Sequence, residues 1–353
     1  NAQFHTEGAT LGLDAIAPHF TNLSGSGTVS NTQVTIPEAH AMLLGEPVSI
    51  TVRPATEGET DFSHRADIKG TLQVSRAWEA FGLPATDLLD GVIEVDAQAL
   101  FPVGGEDQSL PFRILLSSDM AGSTSILPYP LYKQAADTDS AQVELWFPDQ
   151  GVIDFSGSLQ RGFKWVMRLH DRDSGWGIER GLVSLDDTSL VLPDEPGLSV
   201  TGYIEALVLN DWLDVFKSGQ PAQEGTPERF ADWQHIFGLV DLQIGELYAV
   251  NHRFVAVDVR ARPQDSAWDV VLTGPWVEGQ LIVPFDFTGA DRLRLDMQRL
   301  LLIEPLEGED EEISVPDPRT LPAIHGHVEE FALGKLRLGK LDLDMRRTDD
   351  GLM

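Results

Sequence analysis

Four clusters in this sequence carry residue types that could do chemistry. His325 and His327 stand two apart, with Glu329 two further on. On a strand that spacing puts all three side chains on one face, where two imidazoles can share a divalent metal. No further ligand completes the set, so a solvated strand edge is the simpler reading. Asp171, Asp173 and Gly175 match the opening of a calcium loop, but the position that requires Glu holds Leu182. Turns favour Asp and Gly, which makes this a hairpin turn. His170 beside Asp171 and Asp173 is the one His–carboxylate cluster suited to proton transfer. Adjacent strand residues face opposite ways, so His170 and Asp171 do not meet, and no neighbouring Ser or Thr completes a triad. The unspaced acidic run Glu307-Gly308-Glu309-Asp310-Glu311-Glu312 is a hydrated loop rather than a cation cage. The nucleophile elbow, the zinc-protease helix, the phosphate loop and a complete EF-hand are all missing from the sequence. The expectation is a protein that is not an enzyme, with no catalytic residue, no metal and no cofactor.

Composition narrows the classes further. The 353 residues carry 56 Asp plus Glu against 25 Lys plus Arg, a net charge of −31. Such a surface repels phosphate backbones and anionic bilayers, which argues against a nucleic-acid partner. High net charge also keeps a protein soluble, as in bacteria of salty habitats. There is no cysteine, so disulfides, thiolate metal sites and cysteine catalysis are excluded together. No apolar run approaches the roughly 20 residues that span a bilayer, and no signal peptide is present. The chain opens on Asn1-Ala2-Gln3 and stops at Gly351-Leu352-Met353. It reads as a piece of something longer, with any anchor outside it.

What positions side chains in this chain is a two-residue hydrophobic rhythm. Val143, Leu145 and Phe147 alternate with polar or outward positions, as do Phe163, Trp165, Met167 and Leu169. The same holds for Val255, Val257 and Val259, for Leu281, Val283 and Phe285, and for Leu293, Leu295 and Met297. Strand side chains point to opposite faces with period two, so each segment is a strand with one apolar and one wet face. Turn-rich breaks separate them at 54–67, 102–111, 133–140, 193–199, 217–229 and 305–322. This pattern predicts an all-β fold, an elongated, twisted, mostly antiparallel sheet. Short helices are expected at Arg76–Phe81, resuming at Ala85–Leu89, and at Asn210–Phe216. Both follow similar strands, beginning at Gly70 and at Gly202. Near the end, the apolar phase slips at Gly334-Lys335 and Gly339-Lys340, as tight turns or bulges that keep the apolar side inward. Among the eight tryptophans, Trp146, Trp165, Trp176, Trp268 and Trp276 lie in or beside strands, where interior packing is their usual fate.

Ordered sequence features resemble one family. Leu23-Ser24-Gly25-Ser26-Gly27 leads to Ala41-Met42-Leu43-Leu44-Gly45-Glu46-Pro47-Val48. Ser118-Asp119-Met120-Ala121-Gly122 is followed by Leu127-Pro128-Tyr129-Pro130-Leu131-Tyr132-Lys133. Gly202 to Trp212 forms a third element, and Leu239 to Val283, with Trp268 and a Gly279-x-Leu281-x-Val283-Pro284 ending, forms a fourth. Together they resemble the YhdP-type AsmA-like family of Gram-negative bacteria, part of the AsmA/TamB superfamily and akin to bridge-like lipid transfer proteins. Tyr132 departs from the pattern, where a small residue is expected. The resemblance implies an inner-membrane anchor, a periplasmic body, and a taco-like hydrophobic β-groove. The implied role in outer-membrane biogenesis is non-enzymatic transport of phospholipid between the inner and outer membranes.

A one-sided sheet must cover its apolar face with a second sheet, by closing into a barrel, or with apolar ligand. Under the lipid reading, the groove is lined by Val143, Leu145, Phe147, Phe163, Trp165, Met167, Leu169, Val255, Val257, Val259, Leu281, Val283 and Phe285. Its partners are acyl chains, the inner-membrane anchor and further envelope proteins. The alternatives are a periplasmic scaffold with a self-filled core and, more remotely, a carbohydrate-binding β-protein. The segments run 1–135 and 136–220 as groove, with 221–353 as the AsmA-like part of one continuous body.

Overall fold

A computed structural model describes residues 2–13, 16–31, 33–56, 62–80, 88–102, 112–172, 175–186, 190–218, 236–249, 251–285, 292–303, 323–348 and 351–352. It divides into one unit of residues 1–127 and 131–196 and another of 128–130 and 197–353.

The first unit carries β1 (Ala2–Leu13), β2 (Ile16–Ser30), β3 (Gln33–Leu43), β4 (Glu46–Pro54), β5 (Phe62–Gln73), helix α1 (Val74–Ala80), β6 (Leu89–Pro102), β7 (Phe112–Ser118), β8 (Ser123–Ser125), β9 (Ala141–Phe147), β10 (Val152–Leu159), β11 (Lys164–Arg172) and β12 (Gly175–Ser184). The second carries β13 (Gly197–Val208), helix α2 (Leu209–Ser218), β14 (Phe237–Ala249), β15 (His252–Gln264), β16 (Ala267–Thr273), β17 (Val277–Pro284), β18 (Leu293–Leu302), β19 (Ile324–Leu333), β20 (Leu336–Met345), and the two-residue strands β21 (Arg347–Thr348) and β22 (Gly351–Leu352). Strand makes up 74% of the structure, so the fold is all-β.

In the first unit the ladder follows the chain. Each strand from β1 to β7 pairs antiparallel with the next, β7 pairs β9, and β9 to β12 continue the meander. β8 pairs the first residues of β6, and its Ser125 also bridges Lys133. Tight turns make this possible. Leu44 (φ 55°) and Gly45 (φ 85°) join β3 to β4 with two left-handed residues, the geometry whose twist matches a hairpin. Small residues dominate one face at Ala39, Ala41, Ala66, Ala97 and Ala99, all buried. Their size lets the sheet coil tightly there, and β3 reaches across β4 to approach β5.

The second unit is mixed. β13 and β14 pair in parallel, as do β18 and β19, while the other neighbours from β14 to β20 run antiparallel. A parallel pair needs a long crossover. Helix α2 lies between β13 and β14 in the chain, and the rest of both connections lies outside the described residues. The pairing is mostly antiparallel, as expected; periodicity alone cannot reveal strand direction, so the two parallel pairs were not foreseeable.

Both helices run straight on from a strand, α1 from β5 and α2 from β13. α1 packs on β5 and β6, and α2 on β14. Arg76 in α1 donates to the Leu44 carbonyl at 3.0 Å, tying the helix to the β3–β4 turn. The expected helical resumption at 85–89 fails where it can be seen: Leu88 lies in a turn and Leu89 begins β6, while 85–87 lie outside the described residues. Near the end, Gly334-Lys335 is the hairpin turn and Gly339 (φ 78°) sits at a register shift in β20. The expected inward apolar side does not extend here: Leu333, Leu336 and Leu338 are exposed. β20 pairs with β19 alone among the described residues, so no described strand flanks its outer edge.

Candidate functional site

The register fixes which side chains share a face, because residues directly opposite on adjacent strands point the same way. Three cross-strand rows align in the first unit. Ala97, Leu116, Val143, Gly157, Trp165 and Val183 form one; Ala99, Ile114, Leu145, Phe155, Met167 and Gly181 form the next. Phe112 stands opposite Phe147, and Ile153 opposite Leu169 and then Ile178. Val143, Leu145, Phe147, Trp165, Met167 and Leu169 therefore occupy one apolar face. Phe163 precedes β11; its carbonyl accepts from the Leu159 amide at 2.7 Å, and its ring lies 5.9 Å from that of Trp165. Across β3 to β6 the same face carries Ile36, Ala39, Ile50, Val52, Ala66 and Ile68.

Burial on this face is uneven. Ile153 is 1% exposed and Leu145 5%, whereas Phe155, Met167, Leu169, Leu116 and Trp165 stay half-buried. Phe147 is buried too, at 7%. The indole nitrogen of Trp165 is buried with no hydrogen-bond partner. Its ring lies over Gly157, in the space a Cβ would need. Ile153 and Phe155 share the period-two signal, but Gly157 cuts their stripe short, so the run is too brief to stand out in sequence.

The opposite face of the first unit is charged and laced with ion pairs. Arg168 holds Asp154 with two bonds of 2.6 and 2.7 Å, a fork that raises the guanidinium pKa through its hydrogen bonds to Asp154. Arg65 bonds Asp67 at 2.7 Å, Lys69 meets Asp96 at 3.0 Å, and Arg113 meets Glu144 at 2.6 Å while lying over the Trp146 ring. Within the Ser118 to Lys133 motif, Ser125 and Lys133 exchange backbone hydrogen bonds of 2.9 and 3.0 Å. Lys133 is 7% exposed, and its ammonium donates to the Ser123 carbonyl at 2.9 Å and the Gln134 carbonyl at 3.2 Å. Burial pushes its pKa down.

In the second unit Leu242, Val259, Leu272, Gly279, Met297, Val328 and Leu341 form one row. Ala261, Val270, Leu281, Leu295, Gly326 and Leu343 form another. Val283 stands opposite Trp268, and the Phe285 ring meets Trp268 edge-on at 6.2 Å. Val257 stands opposite Ile244, with exposures of 1% and 2%. Val255 departs from the stripe. Phe254 and Val257 are both buried yet three apart, so period two breaks between them, at Ala256 (φ 51°). Val255 instead faces Glu246, which is bonded to Arg253 at 3.0 Å and to the Tyr248 hydroxyl.

The histidine clusters of the sequence are salt-linked. His327 lies 2.6 Å from Asp342 and 3.1 Å from Glu329, and Glu329 meets Lys340 at 2.7 Å. His325 approaches Asp344 at 4.0 Å. His170 bonds Glu179 at 2.6 Å on the neighbouring strand rather than Asp171. Among the described residues no three His, Asp or Glu side chains gather as a metal site. The acidic run 307–312 and residue Asp173 lie outside the described residues. No helix among the described residues is long and apolar enough to cross a membrane.

The features that stand out are two apolar faces, one per unit, each backed by a charged face. No curated protein and no solved structure matches the chain. The family model of the YhdP protein matches residues 1–353, the whole chain, and the chain belongs to that family.

Proposed function

We propose that the chain is a non-enzymatic lipid carrier whose apolar faces shelter phospholipid acyl chains on their way between the inner and outer membranes. Membership of the YhdP family fits a lipid-transport, bridge-like protein that is membrane-anchored and periplasmic. The observation that supports the finer reading is the half-open apolar face of the first unit. Phe155, Met167, Leu169 and Leu116 lie in aligned rows and keep part of their surface exposed. An acyl chain laid on these rows loses water contact along its length, at about 0.8 kcal/mol per CH₂. Such contacts are non-directional, so the carrier needs no fixed polar site and no catalytic group. Partners, in this reading, are acyl chains, a membrane anchor and envelope proteins.

Mass spectrometry of organic extracts from the purified protein tests the proposal. Co-purifying phospholipid at close to stoichiometric amounts is the expected result. A lipid-free protein with unchanged stability would overturn it and favour a scaffold whose own side chains fill the face.

A further inference from the structure

The face of the first unit that points away from the apolar rows carries a depression of about 640 Å³. It lies between two cross-strand rows on β6, β7, β9, β10 and β11. One wall is Asp96, Ser117, Gln142, Ser158 and Lys164; the other is Gln98, Leu115, Glu144, Ser156 and Val166; Leu116, Val143, Gly157 and Trp165, the row between them, also line it. Four strand spacings of about 4.8 Å make the trough about 19 Å long. Leu190, in the segment after β12, adds to its lining. A concavity of this volume is in the range of small-molecule sites.

Its chemistry selects among ligands. Asp96 is held by Lys69 at 3.0 Å and Glu144 by Arg113 at 2.6 Å, so both carboxylates already have cations. Lys164, at one end, is itself engaged. That leaves little charge for an anion, in a chain whose net charge of −31 repels one. The side chains of Gln98, Gln142, Ser156 and Ser158, by contrast, have no hydrogen-bond partner among the described residues. Amides and hydroxyls both donate and accept, as sugar hydroxyls do. Leu115, Val166 and Leu190 offer apolar patches for the C–H faces of pyranose rings. The trough crosses the strands, so their backbone groups are spent in the ladder and cannot pair with an extended peptide.

We infer that this trough binds a short, uncharged oligosaccharide. Its polar groups come from the two rows that face away from the apolar side chains, and the inference does not depend on the lipid reading.

Isothermal titration of the full chain with maltotriose, chitotriose and inorganic phosphate tests it. Saturable binding of at least one trisaccharide is expected, with Kd at or below about 1 mM. A Gln142→Ala/Ser158→Ala double variant should weaken it tenfold or more. Lys335→Ala, in the exposed β19–β20 turn and outside the trough, should leave it unchanged. The double variant should also keep any co-purifying lipid, which separates a failure here from a failure of the lipid carrier. No saturable heat with either trisaccharide would overturn the inference. So would equal affinity in the double variant, or phosphate binding as tightly as the sugars.

Discussion

A carboxylate placed on the apolar face should have opposite consequences at two positions. Val257 in β15 is 1% exposed and faces Ile244, itself 2% exposed. Val257→Asp gives up about 1.5 kcal/mol of apolar burial. It also seals a polar group away from water without a partner, about 1–3 kcal/mol more by mutational measures. The sum is a loss of about 2.5–4.5 kcal/mol. Met167 in β11 stands between Phe155 and Gly181 and is half-buried. There an Asp side chain reaches solvent, and the cost is the lost burial alone, about 1–2 kcal/mol. Denaturant unfolding of both variants, alongside lipid quantitation of the purified proteins, measures the contrast. Met167→Asp should remain folded and lose lipid; Val257→Asp should unfold readily. If Met167→Asp costs as much stability as Val257→Asp, the face around β11 is sealed and the half-open surface is wrong. If it stays folded and keeps its lipid, acyl chains do not lie on β11.

Gly157→Ala should destabilise by about 1–3 kcal/mol and alter tryptophan fluorescence, because the new Cβ meets the Trp165 ring and comes 2.7 Å from the Gln142 carbonyl oxygen. Leu44→Asn should raise the melting temperature slightly, since Leu44 holds φ 55° in a two-residue turn that favours Asn; a lower temperature would refute this account of the turn. Lys133→Met should cost about 1.5–3 kcal/mol in denaturant unfolding by removing the charged donor from two carbonyls. Hydrogen bonds to Asp342 and Glu329 raise the His327 pKa above its ordinary 6.5, and bonds to Lys340 and His327 lower that of Glu329. The His327 contribution is thus present below pH 6.5 and lost as pH rises through the raised value; that of Glu329 is present above its ordinary 4.5 and lost as pH falls through the lowered one. An NMR titration should place the His327 midpoint above 6.5 and return it toward that value in Asp342→Asn.

The strands were legible because burial on one face writes period two into the chain. Val143, Leu145 and Phe147 of β9 and Trp165, Met167 and Leu169 of β11 share a face for that reason. Stripes fail where the backbone breaks phase. Ala256 adopts a left-handed conformation mid-strand, which no residue type announces, and Val255 leaves the row. Leu336 and Leu338 look like core by composition, but a side chain is covered only if a neighbour exists, and among the described residues β20 has one on a single side. Direction is invisible to periodicity as well, hence the two parallel pairs. The polar trough was beyond sequence altogether: Asp96, Ser117, Gln142 and Ser158 lie far apart along the chain and meet only through register.

The meander of the first unit has a consequence for how such a protein can change. From β1 to β7 and from β9 to β12 each strand pairs with its neighbours along the chain, so interactions are close to nearest-neighbour in one dimension. Adding or deleting one hairpin preserves strand direction and leaves every remaining apolar row on its own side. Adding a single strand would reverse the direction of all that follow. Duplication in units of two strands is therefore a route by which a body of this kind can be lengthened without redesigning its surface. Local contacts also mean that ordering can begin in any hairpin and spread outward, and that hydrogen exchange should be faster at β1, which pairs on one side among the described residues, than at strands paired on both sides.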